Sequence, residues 1–396
     1  MFEPRELITR LVSGYYKNAP DLIPKKIEQR EFGFGTFDMK VAGRHIAFEN
    51  PTKFIAYLTS SAPLFVSCSQ AYYRYPAARP MEKKEILGAE MVFDIDATDM
   101  NLPCQLEHGK KWVCEICFEK VKEEAIKLVE DFLVPDFGLS ENEIEINFSG
   151  NRGYHFHINS ESVMHLDNFA RREIGEYITG TGINFEEFFP TVGIEGTRIK
   201  KLMGPRPTEK GWQGKIANNF LRNLNSGVEA LQALGMTSAQ AKQLYEKRSL
   251  VQMGINSGNW DMVYIKKKDE FWKNVIGKQA IMQSDKIDKN VTADPTHLLR
   301  VPNTIHGDTG LIAKKVGSKS KLGKFDPTKE AVAFKKGETK VHVTNSPKLQ
   351  LNGESFGPFK DEDVILPTYA GVYLHLKGVG KIKGFRISSK KSDISE

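Results

Sequence analysis

The sequence predicts an α/β (α+β) fold, a mixed-sheet domain interrupted by a helical insertion. Three observations carry that reading. Apolar residues ahead of Asp94 read as a buried strand, and Ile144, Ile146 and Phe148, then Tyr154, Phe156 and Ile158, alternate with period two across a Gly-containing turn. Leu221, Leu224, Leu231, Leu234 and Leu244 stand among apolar positions at helical spacing through residues 218–283. A tight group of cysteines with one histidine lies between the first strand and the alternating pair.

The elements follow in chain order. Leu7, Ile8, Leu11, Val12, Tyr15 and Tyr16 recur at helical spacing, and Pro4 suits a first turn. Residues 30–48 read as extended and 90–95 as a strand. Phe118, Val121, Ala125, Leu128, Val129 and Phe132 form one face of a helix ending near Pro135. After the alternating pair and the helical region, strand-like text returns at 297–301 and 311–316. The stretch 314–324 is basic and contains Gly and Ser, and reads as a mobile surface loop. The expected division is a catalytic domain over 1–205 and 285–387, a helical insertion over 206–284 and a disordered tail over 388–396.

A chain of 396 residues with 40% hydrophobic content can bury a large core. No apolar run approaches the roughly 20 residues that span a bilayer, and the first residues lack the layout of a secretory signal. The expectation is a soluble intracellular protein that does not engage a membrane. A net charge of +6 permits a polyanionic partner without requiring one.

Four segments carry chemistry. In Asp94-Ile95-Asp96 a strand would put both carboxylates on one face, where like charges repel and desolvation costs free energy. Divalent cations relieve such a pair, and Mg²⁺ favours oxygen ligands; a strand end whose acids simply face water is the alternative. Cys104, His108, Cys114 and Cys117 have the spacing of a closed tetrahedral zinc site, structural because all four positions are taken by protein; unmetallated thiols are the alternative. Cys68 reads as a buried apolar residue. In Ser149-Gly150-Asn151-Arg152-Gly153-Tyr154-His155 two glycines frame a turn whose backbone N–H groups can approach an anion, with Ser149, Arg152 and His155 as further donors. A hairpin with a solvated arginine is the competing reading. A later segment joins Asp288 to Arg300 and His306, an acid that can face a metal and two groups that can neutralise phosphate.

Taken together these strings resemble the catalytic small subunit of the archaeal–eukaryotic DNA primases. The resemblance rests on the apolar strand ending in Asp94 and Asp96, the Ser149–His155 turn, the segment from Leu299 through Pro302 and His306 to Gly310, and the cysteine knuckle after the acidic pair. It runs from about Arg30 to Leu311. It implies that Asp94, Asp96 and Asp288 bind two catalytic Mg²⁺ or Mn²⁺ ions, about 3.5–4 Å apart in such centres. It implies that Ser149, Arg152, His155, Arg300 and His306 hold a nucleoside triphosphate. Glu31 and Arg44 fall in a looser match to the family's N-terminal active-site segment, and Asn151 stands where some relatives carry a second basic residue. The implied activity is de novo, template-directed primer synthesis on single-stranded DNA by a nucleotidyltransferase, with RNA and DNA polymerase capacity. The implied partner is a large primase subunit, contacted through exposed apolar residues of the main domain, and the implied place is the cytoplasm of an archaeal-type cell at replication sites. Lys266–Lys268 and Lys314–Lys315 are candidates to grip template phosphates. A repair-type primase-polymerase and a non-catalytic zinc module that binds nucleic acid are the rival readings.

Overall fold

Helix α1 (Pro4–Asn18) starts with a proline in its first turn and buries Leu7, Ile8, Val12 and Tyr16, the face that the periodicity predicts. The computed structural model describes residues 3–193, 200–283 and 286–387, so the tail expected to be disordered lies outside the described residues. The chain divides into two units: Met1–Ile126, Ser140–Arg172 and Lys286–Glu396 form the first, and Lys127–Leu139 with Glu173–Asp285 form the second.

Two four-stranded sheets organise the first unit. Their strands are β1 (Phe32–Gly35), β2 (Gly43–Ile46), β3 (Phe65–Ser69), β4 (Met91–Asp96), β5 (Ile144–Phe148), β6 (Gly153–Ile158), β7 (Leu298–Arg300) and β8 (Lys315–Gly317). The orders are β7-β3-β1-β2 and β8-β5-β6-β4, and every neighbouring pair is antiparallel. The α+β class therefore holds. Cys68 is buried within β3, as expected.

Alternation decides what each face of the second sheet does. Phe93, Ile95, Phe148, Tyr154 and Phe156 are buried on one side, and helix α2 (Glu115–Lys127) brings Phe118 to within 6.0 Å of the Phe148 ring. The opposite face carries Asp94, Asp96, His155 and His157. One strand thus anchors its rings and presents its polar groups on the other side.

Residues 314–324 depart from the expected mobile loop. Lys315 starts β8 and pairs with Glu145 at 2.8 Å, a short helix follows at Lys319–Leu322, and Val316, Leu322 and Phe325 are buried. Three apolar side chains spaced through the lysines give this basic stretch a core to pack on.

Helix α3 (Lys289–Ala293) follows Asp288, and a third sheet forms from β9 (Glu338–Ser346), β10 (Phe359–Pro367) and β11 (Gly380–Arg386). There β9 pairs with both neighbours, and helix α4 (Thr368–Leu376) buries residues from Thr368 to Leu374.

The second unit is helical. Its core gathers Phe220, Trp260 and Trp272 with leucines of the Gly211–Ser226, Val228–Ala233 and Ser238–Glu246 helices. The insertion expected over 206–284 falls in this unit, which also takes in Lys127–Leu139 and the chain from Glu173 onward. Lys215 and Tyr177 both donate to Asp136, tying the 127–139 segment to it.

Candidate active site

Asp94 and Asp96 close strand β4 on its polar face, with side chains 24% and 25% exposed. The register sets Asp94 opposite His155 and Asp96 opposite Gly153. Gly153 is required by proximity: a Cβ there would lie 2.0 Å from the Ile95 carbonyl oxygen. Asp288 arrives from far along the chain. Its backbone N–H donates to the Asp94 carbonyl at 2.8 Å, and the preceding Ile287 bridges Ile95. Its carboxylate accepts from the Asn290 N–H at 2.8 Å and caps α3. Val291 of that helix packs with Val92 of β4 and Leu299 of β7, so one small apolar cluster gathers the elements that carry Asp94, Asp288 and Arg300.

The acids are electrostatically crowded. Burial, then Asp96, Asp288 and Asp99, pushes the Asp94 carboxyl up to about 8 against the pull of Arg152. Asp99 is also raised, by burial and by Asp96 and Asp288. This fourth carboxylate, in the turn after β4, was not among the expected site residues, although the D-x-D-x-x-D spacing signals it. Mutual repulsion of this kind fits a divalent cation held between the carboxylates.

Facing the acids is a set of cations and neutral donors. Arg152 donates from Nε to Asp96 Oδ2 at 3.2 Å, and its Nη2 lies 3.1 Å from the same oxygen in an ion pair. The Ser149 hydroxyl oxygen accepts the N–H groups of Asn151, Arg152 and Gly153, which shapes the turn and leaves its own proton available. Gly150, at φ +80, lies so close that a Cβ would meet His306 Cβ at 2.8 Å. His155 lies 3.6 Å from Asp94 and is neutral, since burial and then His157, Arg300 and His297 lower it to about 3. Burial and four surrounding cations also hold His306 well below its usual value. Because its Nδ1 accepts from the Asp308 N–H, its proton sits on Nε2. Arg300 stacks over Phe65 with Cζ 5.0 Å from the ring centroid, and among the described residues its buried Nε and Nη1 have no hydrogen-bond partner. A buried guanidinium with unmade bonds costs free energy, and an anion there recovers it.

Glu31 and Arg44 meet each other. Glu31 is fully buried and accepts from Arg44 Nε at 2.7 Å, while Arg44 also donates to the Thr296 carbonyl. Glu31, placed by the resemblance in the N-terminal active-site segment, turns its carboxylate to Arg44 and the His45 ring. It is the anion that orients Arg44.

The knuckle residues converge. Cys104 and Cys117 sulfurs lie 3.5 Å apart, Cys114 and Cys117 3.7 Å, and His108 Nε2 is 3.7 Å from Cys117 Sγ. Ligands about 2.3 Å from the centre of a tetrahedron are separated by about 3.8 Å, so the four fit zinc. His108 Nδ1 lies 2.8 Å from the Gly109 carbonyl, which directs Nε2 toward the cysteines. Among the described residues this is the one group of three or more such side chains whose ligand atoms all lie within 4.8 Å of one another. The aspartates are more loosely arranged.

An acidic row set against phosphate-suited donors has the chemistry that nucleotidyl transfer needs. A family model described as DNA primase small subunit matches residues 93–318. The chain is 34% identical to the protein named DNA primase small subunit PriS of Methanosarcina barkeri, over 93% of this chain and 94% of that one. It is also 34% identical to the Methanothrix thermoacetophila protein of the same name, over 93% and 96%, and 30% to that of Thermoplasma acidophilum, over 93% and 98%. The chain belongs to the DNA primase small-subunit family. No helix among the described residues is long and apolar enough to cross a membrane.

Proposed function

We propose that this chain is the catalytic subunit of a DNA primase, joining nucleotides de novo on a single-stranded DNA template. The observation that supports this most directly is the backbone bond from Asp288 to Asp94, which adds a third carboxylate to the pair beside donors with unmade bonds. Asp94, Asp96 and Asp288 would hold Mg²⁺ or Mn²⁺. Bound there, such ions acidify the attacking 3′-hydroxyl and neutralise charge on the triphosphate.

The chain's own residues position the phosphates. Arg300 offers Nε and Nη1, His306 offers Nε2–H, and Ser149 offers its hydroxyl proton. Arg152 has five donors and engages Asp96 through Nε and one side of its guanidinium, so it can bridge carboxylate and phosphate. His155, neutral beside Asp94, adds a further N–H, and Arg44 reaches the nucleotide with Glu31 as its buried counter-charge. Ribonucleotide and deoxynucleotide polymerisation both belong to the reading, as do a large-subunit partner and salt-sensitive template contacts through Lys266, Lys267 and Lys314.

Unprimed synthesis on a homopolymer single strand with labelled nucleotides tests it. Product should require Mg²⁺ or Mn²⁺ but no supplied 3′ end. Asp94→Ala and Asp288→Ala should each lower synthesis on the order of 10³-fold. Wild-type rates in either variant would sink the reading.

A further inference from the structure

We propose that Lys377 is a further triphosphate-binding cation of this site, carried by the C-terminal helix and held in position by the zinc loop. The proposal deepens the primase reading and rests on it. Lys377 directly follows α4, and its N–H donates to the Tyr373 carbonyl at 2.9 Å. Two contacts fix that end of the helix. A Cβ on Gly310 would meet Val372 Cγ1 at 2.9 Å, so α4 lies against the turn that follows His306. Buried Trp112, from the loop between His108 and Cys114, meets the Tyr373 ring edge-on at 5.6 Å.

The Lys377 ammonium donates to the Asn151 side-chain oxygen at 3.1 Å and to the Lys111 carbonyl at 3.0 Å. Both acceptors are neutral, and among the described residues Lys377 forms no ion pair. It therefore has no direct counter-charge beside the Ser149–Gly153 turn, where Asn151 is uncharged and Arg152 is already engaged with Asp96. One of its three protons remains for a ligand.

The surroundings favour an anion. Burial and then Arg152, with Lys40 acting in the same direction, lower Lys377 to about 8 against Asp308 and Asp96. His306 is surrounded by Arg300, Lys40, Lys377 and Arg152. Cations gathered at this density repel one another, and a polyphosphate turns that repulsion into binding. The zinc loop then acts on the reaction through the Lys111 carbonyl and Trp112, which hold the Lys377 ammonium at the turn.

The test separates charge from scaffold. Lys377→Gln keeps a polar amide N–H donor, one bond shorter than the ammonium, but removes the charge, whereas Lys377→Ala removes both. With the full-length chain, nucleotide KM should rise about tenfold or more in both variants, as for loss of a charged hydrogen bond. The kcat should stay within about threefold of wild type, because the contact is made in ground and transition states alike. Zinc content and melting temperature of the Gln variant should match wild type. A Gln variant with wild-type KM, or one whose KM rises only together with zinc loss and a lower melting temperature, would overturn the assignment and leave Lys377 a strut. Asp94→Ala runs alongside: if it retains synthesis the primase reading itself fails, whereas an inactive Asp94→Ala beside a wild-type Lys377→Gln rejects Lys377 alone.

Discussion

Gly153→Ala probes the link between strand register and chemistry most directly. The added methyl carbon would lie 2.0 Å from the Ile95 carbonyl oxygen, 2.9 Å from its carbon and 3.0 Å from Asp96 Cα. Carbon–oxygen contacts across a sheet settle at about 3.3 Å, so β4 and β6 must part by about 1 Å. Nothing flexible can yield, because the obstructing atoms are backbone. The opening falls on the row that carries Asp96 and draws it away from Arg152, which follows the Ser149 turn. A misplacement of about 1 Å at a reacting centre costs roughly 10²-fold in rate. Overpacking of this size also destabilises by about 1–3 kcal/mol, or a few degrees in melting temperature. Unprimed synthesis on a homopolymer template, read beside thermal denaturation and zinc content, supplies the measurement. The expected pattern is a loss of about two orders of magnitude in synthesis with a modest fall in Tm and unchanged zinc. Synthesis within threefold of wild type at an unchanged Tm would refute the claim that close approach at Gly153 sets the Asp96–Arg152 geometry.

Two further outcomes follow from the same structure. Glu90 is buried and burial pushes it up, yet Arg30, His157 and Tyr72 hold it well below the usual carboxylate range. A folded-state value below the unfolded one gives stability that is present above about pH 4.3 and lost as pH falls below it, since the unfolded chain then binds more protons. Glu90→Gln should cost about 3–5 kcal/mol at neutral pH by stranding the Arg30 charge, and should flatten the acid side of the Tm–pH curve; an unaltered slope argues against the linkage. Chelating the knuckle metal should lower Tm and shift Trp112 emission to the red as it leaves the Tyr373 ring, a shift missing from Trp112→Phe. Identical spectra with and without chelator would mean that the loop keeps its packing unaided.

Legibility followed sequence distance. The Asp94–Asp96 pair, the glycine-framed turn and the Cys/His spacing could be read because each is a local pattern: side-chain alternation, positive φ or ligand reach is set within a few residues. Asp99 is equally local, three residues beyond Asp96 in the D-x-D-x-x-D run. Glu31 shows the opposite case. Its Arg-Glu-Phe context matches the family's active-site segment, whereas its burial against Arg44 is a property of the folded whole. The stretch 314–324 was read by its lysines, but Val316, Leu322 and Phe325 decided its structure by having a core to enter.

Chemistry was therefore determined by the sequence alone wherever one strand or one turn could carry it, including which side of β4 bears the acids. Tertiary structure alone decided that Asp288 bonds to Asp94, that Lys127–Leu139 joins the helical unit, and that the ammonium of Lys377 reaches Asn151. Such contacts leave no periodic mark because they arise when distant apolar clusters, such as Val92, Val291 and Leu299, exclude water together and bring their polar neighbours with them.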